Sequence, residues 1–282
     1  MSVSRVCVTS CNLRFADGAE ALLRSACRCH PEVEKICYVP AREHSVLSAR
    51  LSSWARVEVF PSIIQGVPEE NLANVGRLFS VIPDAETVVY VDSDVVFCRP
   101  APELWDVEPG TVNAVRDTSI MVANNLAGPN RDLFVRQFPD VASHKGANMG
   151  VFGLRPSDWK DLPQRFSRAL VDGGFGYDYI IDQPLLNALI APHFHWLPFE
   201  FNAHCLFDNR ISRDVRLVHF TGGGAKPWQA GFPKHEPAYW YWLKYGEQEQ
   251  SAARLMISAL GILLHTPKRL LGRKIREWKQ KI

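Results

Sequence analysis

Two carboxylates interrupt an apolar run in Tyr90-Val91-Asp92-Ser93-Asp94-Val95-Val96-Phe97. Burying like charges side by side is costly, and each raises the pKa of the other unless a positive group stands between them. A divalent metal is the usual solution. On an extended backbone, positions i and i+2 face the same way, so Asp92 and Asp94 can reach one cation while Ser93 points away. A second group lies far along the chain. His219 ends an apolar stretch and opens Phe220-Thr221-Gly222-Gly223-Gly224-Ala225-Lys226. A neutral imidazole can ligate a metal. Consecutive glycines let backbone amides approach an anion, and Lys226 adds a mobile positive charge suited to phosphate. Asp92, Asp94, His219 and the Gly-Lys loop together describe a metal-bound diphosphate site. The oxygen-rich set suits Mn2+ or Mg2+ better than Zn2+, and the imidazole favours Mn2+.

The elements that must hold these residues follow from hydrophobic patterning. Val3–Val8, Lys35–Val39, Val57–Phe60 and Val88–Val91 read as strands. Between them Ala19–Cys29, Arg42–Leu51 and Glu70–Val81 have helical spacing. That alternation implies right-handed crossovers and parallel pairing, with helices on both faces. Ligands collect at the carboxyl ends of such strands, which is where Asp92 and Asp94 stand. Thr111–Val115 and Met149–Leu154 read as further strands, Pro156–Val171 as one helix opened by proline, and Ile181–Leu189 as a short helix. Val215–Phe220 is a strand feeding the glycine loop. After Pro237 come aromatic residues (Tyr239, Trp240, Tyr241, Trp242, Tyr245) and two helices, with a boundary expected near residue 246.

The 282 residues suffice for one large domain with an appendage. A hydrophobic content of 46% with 22% charged residues is ordinary for a globular chain, and a net charge of +2 gives no reason to expect nucleic acid. The tail is different. Lys268, Arg269, Arg273, Lys274, Arg276, Lys279 and Lys281 face one acid, Glu277, with Leu270, Leu271, Ile275 and Trp278 interleaved. Residues 247–282 can therefore form a basic amphipathic helix on an anionic membrane, or an ordinary solvated helix closing the domain. No apolar run spans a bilayer; Leu255 to Leu264 is too short. Seven irregularly spaced cysteines with no leader before the first strand indicate a reduced, cytoplasmic protein; a membrane-bound tail would then place it on the inner face of the membrane.

Four segments in order resemble glycosyltransferase family 8: Asp92-Ser93-Asp94, Asn148–Phe152 (NMGVF), Asp182–Asn187 (DQPLLN) and His219–Trp228 (HFTGGGAKPW). A lone DxD is weak evidence; the ordered set is specific. The resemblance runs over roughly residues 3–230 and implies a GT-A-type fold, a Rossmann-like mixed sheet flanked by helices. It also implies a retaining transferase that uses Mn2+ and a UDP-sugar, UDP-galactose or UDP-glucose, with a glycan or glycolipid acceptor such as a lipopolysaccharide. By position, Asp92, Asp94 and His219 hold the metal and Lys226 the diphosphate. Arg77 lies near the donor, and Asp117 and Asn148 face the sugar. Asp182 and Gln183 line the reacting face, Asp182 being the carboxylate placed to act as nucleophile. Ser93, Gly222 and Gly223 complete the substrate-binding set. Two departures stand out. Six residues separate His219 from Lys226 where the family has five, and the first strand ends Val8-Thr9-Ser10-Cys11-Asn12 without the family's aspartate for uracil.

Plainer readings exist for each residue. Asp92 and Asp94 can cap a turn, Asp182 and Gln183 can simply open a helix, and Trp228 and the later aromatics suit packing. Two rival functions also fit part of the pattern. One is a haloacid-dehalogenase-type phosphatase with Asp92 as nucleophile and Asp178 and Asp182 as its later acids. The other is a transferase-like binding protein that has lost activity.

Overall fold

The computed structural model describes residues 4–117, 121–178, 180–204, 214–222, 224–232 and 237–246. Val3, Gly223 and the tail 247–282 lie outside the described residues.

Among the described residues ten strands form two sheets: β1 (Arg5–Ser10), β2 (Glu34–Val39), β3 (Arg56–Val59), β4 (Thr87–Val91), β5 (Val95–Phe97), β6 (Val112–Arg116), β7 (Ala147–Leu154), β8 (Phe194–Leu197), β9 (Ala203–His204) and β10 (Leu217–His219). The larger sheet has the order β3-β2-β1-β4-β7-β6-β8. Its first four strands pair in parallel, as the alternation of strands and helices predicts. β7 then runs antiparallel to both β4 and β6, which makes the sheet mixed. The helices are α1 (Ala16–Cys29), α2 (His44–Leu51), α3 (Gly128–Gln137), α4 (Pro139–Ala142), α5 (Leu162–Val171), α6 (Asp182–Ile190) and α7 (Pro237–Tyr241).

Strand alternation divides the core. Val6, Val8, Val88 and Tyr90 face one layer with Phe79, Phe166 and Leu185, while Cys7, Val89 and Val91 face the other with Leu22 and Ala26 of α1. Both faces of β4 are covered, which is why valines fill three of its five positions and every residue in it is buried.

A smaller sheet, β5-β10-β9, decides the position of the distant histidine. β10 runs antiparallel to β5, with His219 opposite Val95. This pairing carries the end of β10 back to the carboxyl end of β4. β10 itself is shorter than the expected Val215–Phe220.

Two expected helices are broken. The stretch from Pro156 forms one turn, Pro156–Asp158, and a separate helix, α5. Pro163 cannot sit inside a helix started at Pro156, because it lacks the N–H that would bond four residues back. Glu69–Val81 is helical but interrupted at Val75, with φ −101° and ψ 18°. The next residue, Gly76, packs so closely on Ser10 that a Cβ would overlap the serine hydroxyl. The break therefore sets the second half of this segment against the end of β1 and turns Arg77 towards β4.

Candidate active site

Asp92, Ser93 and Asp94 form a tight turn, not the continuous extended strand read from the sequence. β4 ends at Val91, and the N–H of Val95 donates to the carbonyl of Asp92 at 3.1 Å. Asp92 N–H bonds Gly150 of β7 at 2.7 Å, and Phe220 N–H bonds the Asp94 carbonyl at 2.9 Å. The turn is thus clamped by both sheets, and it, rather than strand alternation, makes the two carboxylates converge. His219 Nε2 lies 3.1 Å from Asp94 Oδ1 and 3.8 Å from Asp92 Oδ2. One ligand atom from each of Asp92, Asp94 and His219 falls within 4.8 Å of the others, the only such potential metal-holding group among the described residues. Gly150 makes room for it: a Cβ there would run into His219 Cε1 and Asp92 Oδ2. Two carboxylate oxygens and an imidazole nitrogen suit Mn2+ or Mg2+, so the residues present fit a divalent cation.

Two cations of the chain balance the acids. Lys226 Nζ donates to Asp94 Oδ2 at 2.6 Å and to the carbonyls of Phe220 and Gly222 at 2.7 and 2.8 Å. The loop therefore folds around its own lysine. Arg77 bridges Asp92, at 2.8 Å, and Asp182. Burial alone would raise the pKa of Asp94, but His219 and Lys226 overcome it and hold that carboxyl well below the usual range. For Asp182 burial wins: despite Arg77, and reinforced by the charge of Asp92, its pKa is raised to about 6. His204 is buried beside His219, and burial with the neighbouring imidazole pushes its pKa down to about 4.

The remaining predicted residues reach the same place through α6 and β7. Asp182 opens α6, and its carboxylate turns to Arg77. Gln183 accepts the N–H of Met149 at 3.1 Å and directs its amide towards Asp117 at 3.5 Å. Asp117 is itself tied to Gly146 by a backbone bond of 2.8 Å. Asn187, one turn further along α6, pairs with both N–H and C=O of Ala147 and so locks α6 to the start of β7. Asn148 Oδ1 accepts from Gly150 N–H and from Asn202 Nδ2, each at 3.0 Å. Ser93 sits in the acidic turn and Gly222 contributes a carbonyl to Lys226; Gly223 lies outside the described residues.

The sequence reading missed Asn202. Its Oδ1 is 2.9 Å from His219 Nδ1, yet nothing in Phe199-Glu200-Phe201-Asn202 marks it. Trp228 packs against Phe15 and Trp242, and Trp242, Tyr239, Tyr241 and Tyr245 pack with Val218, Phe220 and Phe232.

This architecture is that of GT-A glycosyltransferases. The chain is similar to the bifunctional glycosyltransferase WbbM in its apo form, with a TM-score of 0.62, 15% identity, and coverage of 92% of this chain and 52% of that one. It is likewise similar to the galactosyltransferase LgtC, whose structure holds donor and acceptor sugar analogues (TM-score 0.56, 18% identity, 80% and 90% covered). A third relative is the glycosyltransferase GlyE of Streptococcus pneumoniae TIGR4 (TM-score 0.61, 16% identity, 90% and 63% covered). The chain thus spans about half of WbbM. No individually curated protein matches it in sequence. The model of glycosyl transferase family 8 matches residues 76–231, more than half of the chain, and the chain belongs to that family.

Proposed function

We propose that this protein is a metal-dependent, retaining hexosyltransferase. In this reading it takes a UDP-sugar, UDP-galactose or UDP-glucose, and passes the hexose to a glycan or glycolipid. The observation that carries the reading is the convergence of Asp92, Asp94 and His219 with Lys226 beside them.

Asp92, Asp94 and His219 would hold the Mn2+ or Mg2+. Such an ion, when bound, offsets the charge of the diphosphate and makes UDP a better leaving group. Lys226 already lies against Asp94, and exchanging that contact for phosphate oxygens lets it stabilise the same developing charge. At the end of β1, Asn12 Oδ1 is buried without a hydrogen-bond partner and supplies an acceptor for a base N–H in place of the family's aspartate. Arg77 keeps Asp182 aimed at the metal side of the site. Asp182 then serves the sugar's anomeric carbon, either by attacking it from the face opposite the leaving group or by stabilising its positive charge during front-face transfer. Gln183, fixed by Met149 N–H, and the nearby Asp117 and Asn148 orient the hexose.

The phosphatase alternative puts its acidic pair after the first strand, whereas Asp92 follows the fourth strand here. Residues 1–246 form the transferase unit in this reading. The basic segment 247–282 brings it to the inner face of a membrane, where a lipid-linked or lipopolysaccharide glycan would be the acceptor. Among the described residues, no helix is long and apolar enough to cross a membrane.

A panel of UDP-sugars with Mn2+, scored for UDP release with and without acceptor, tests the reading. One UDP-sugar should be consumed well above the rest. Asp92→Asn and Asp94→Asn should each reduce turnover at least about 100-fold by removing a metal ligand. Near-normal turnover in either variant at ordinary Mn2+ concentration overturns the site assignment.

A further inference from the structure

We infer that Asn202 is a positioning residue that sets the tautomer of His219 and so aims its metal-ligating lone pair; this rests on the metal-site reading above. The hydrogen-bond polarity can be followed from one end. Gly150 N–H donates to Asn148 at 3.0 Å. An N–H can only donate, so the end of the Asn148 amide that receives it is the oxygen. That same oxygen is 3.0 Å from the amide of Asn202, and the Asn148 backbone carbonyl is 3.4 Å from it. Two acceptors facing Asn202 require its NH2 group on that side. Its oxygen must then face the other way, where it meets His219 Nδ1 at 2.9 Å.

A carbonyl oxygen only accepts, so His219 Nδ1 carries a hydrogen whether or not Nε2 is also protonated in the metal-free protein. Nε2 is thereby the nitrogen available to a cation, and it is the one that faces Asp94 and Asp92. Asn202 is fully buried and His219 is 3% exposed, so water does not compete for the bond between them. Outer partners of this kind fix the ring orientation of ligating histidines, and their loss lowers metal affinity by about 10–100-fold. The chain of bonds also joins two distant motifs: Asn148-Met149-Gly150 supplies the polarity, and His219 receives it.

Histidine-labelled protein, with His219→Gln used for assignment, tests this by long-range 1H–15N NMR. The His219 Nδ1 should carry a hydrogen both in metal-free and in Mg2+-saturated protein, with Nε2 the nitrogen that responds to Mg2+. Calorimetric Mn2+ titration adds a second readout. Asn202→Leu should weaken Mn2+ binding about 10–100-fold, and Asn202→Asp, which keeps an acceptor for Nδ1–H but loses the NH2 donor to Asn148, should lose less affinity than Asn202→Leu. A purely structural role would leave the two variants equally impaired. An unprotonated Nδ1 in the wild-type protein overturns the inference, as does a folded Asn202→Leu variant with unchanged Mn2+ affinity. Failure of the metal reading looks different: wild type and His219→Gln would then bind Mn2+ equally poorly, while the Nδ1 signal is read without metal.

Discussion

At the scale of single residues, the site is a set of charges that need one another. Asp94 and Lys226 are a buried pair, with side chains 11% and 10% exposed. Removing one member of such a pair leaves the other uncompensated, so Lys226→Met should destabilise the metal-free protein by about 3 kcal/mol. A divalent cation can replace the lost charge at Asp94. The difference in melting temperature between variant and wild type should therefore shrink when EDTA is replaced by Mn2+; a difference that stays constant argues against metal at Asp94. Asp182 behaves in the opposite sense to Asp94. Its folded pKa, about 6, lies above the ordinary carboxylate value, so folding favours its protonated form. That stabilisation is present below about pH 4 and is lost as pH rises through about 6. Asp182→Asn should remove up to about 3 kcal/mol of pH dependence over this window, checked by urea unfolding of the metal-free protein at a series of pH values. Asp94, held below its ordinary value, stabilises above about pH 4 and loses that contribution as pH falls.

At the scale of elements, backbone geometry decides what the side chains can do. The turn after β4 and the short β5–β10 pair bring His219 to Asp94, across a separation that no local pattern spans. β7 contributes the other wall. Its Gly150 leaves the space that His219 and Asp92 share, and the strand cannot retreat because it is bonded to β4 on one side and β6 on the other. Gly150→Ala should accordingly displace the histidine or the carboxylate. We expect the fold to survive with a loss of about 1–3 kcal/mol from overpacking and Mn2+ affinity to fall at least about 10-fold. Calorimetric metal titration beside a melting curve checks both. The Asp92 and Asp94 positions were legible in the sequence because charges inside an apolar run are anomalous. Their convergence was read from strand alternation, which was the wrong geometry, since the Asp92 carbonyl accepts from Val95 and closes a turn.

At the scale of the whole molecule, the parallel half and the antiparallel half supply different parts of the site. β1 and β4 present Asn12 and the acidic turn; β7, α6 and β10 present Asn148, Asp182, Gln183 and His219. The aromatic segment after Pro237 is bound to α1: Arg28 donates to the Tyr245 carbonyl at 3.3 Å and Arg24 to that of Gly246. The basic residues from Lys268 onward therefore follow a segment anchored to the domain. If they hold the protein at a membrane, full-length chain should float with anionic vesicles while a chain ending at Leu264 does not. Addition of salt should release the full-length protein, because screening weakens contacts between exposed charges. Equal flotation of both chains rejects the role of the tail.

The sequence by itself determined the alternation of strands and helices, the carboxyl-end position of Asp92 and Asp94, and the order of the four motifs. Each rests on local periodicity or on a residue type out of place in its surroundings. Tertiary structure alone decided that Arg77 stands between Asp92 and Asp182, that Lys226 closes on Asp94, and that Asn202 meets His219. These pairs are 15, 105, 132 and 17 residues apart. No backbone period relates such separations. They arise from strand register, from the kink before Gly76 and from the burial that forces each charge or amide to find its partner.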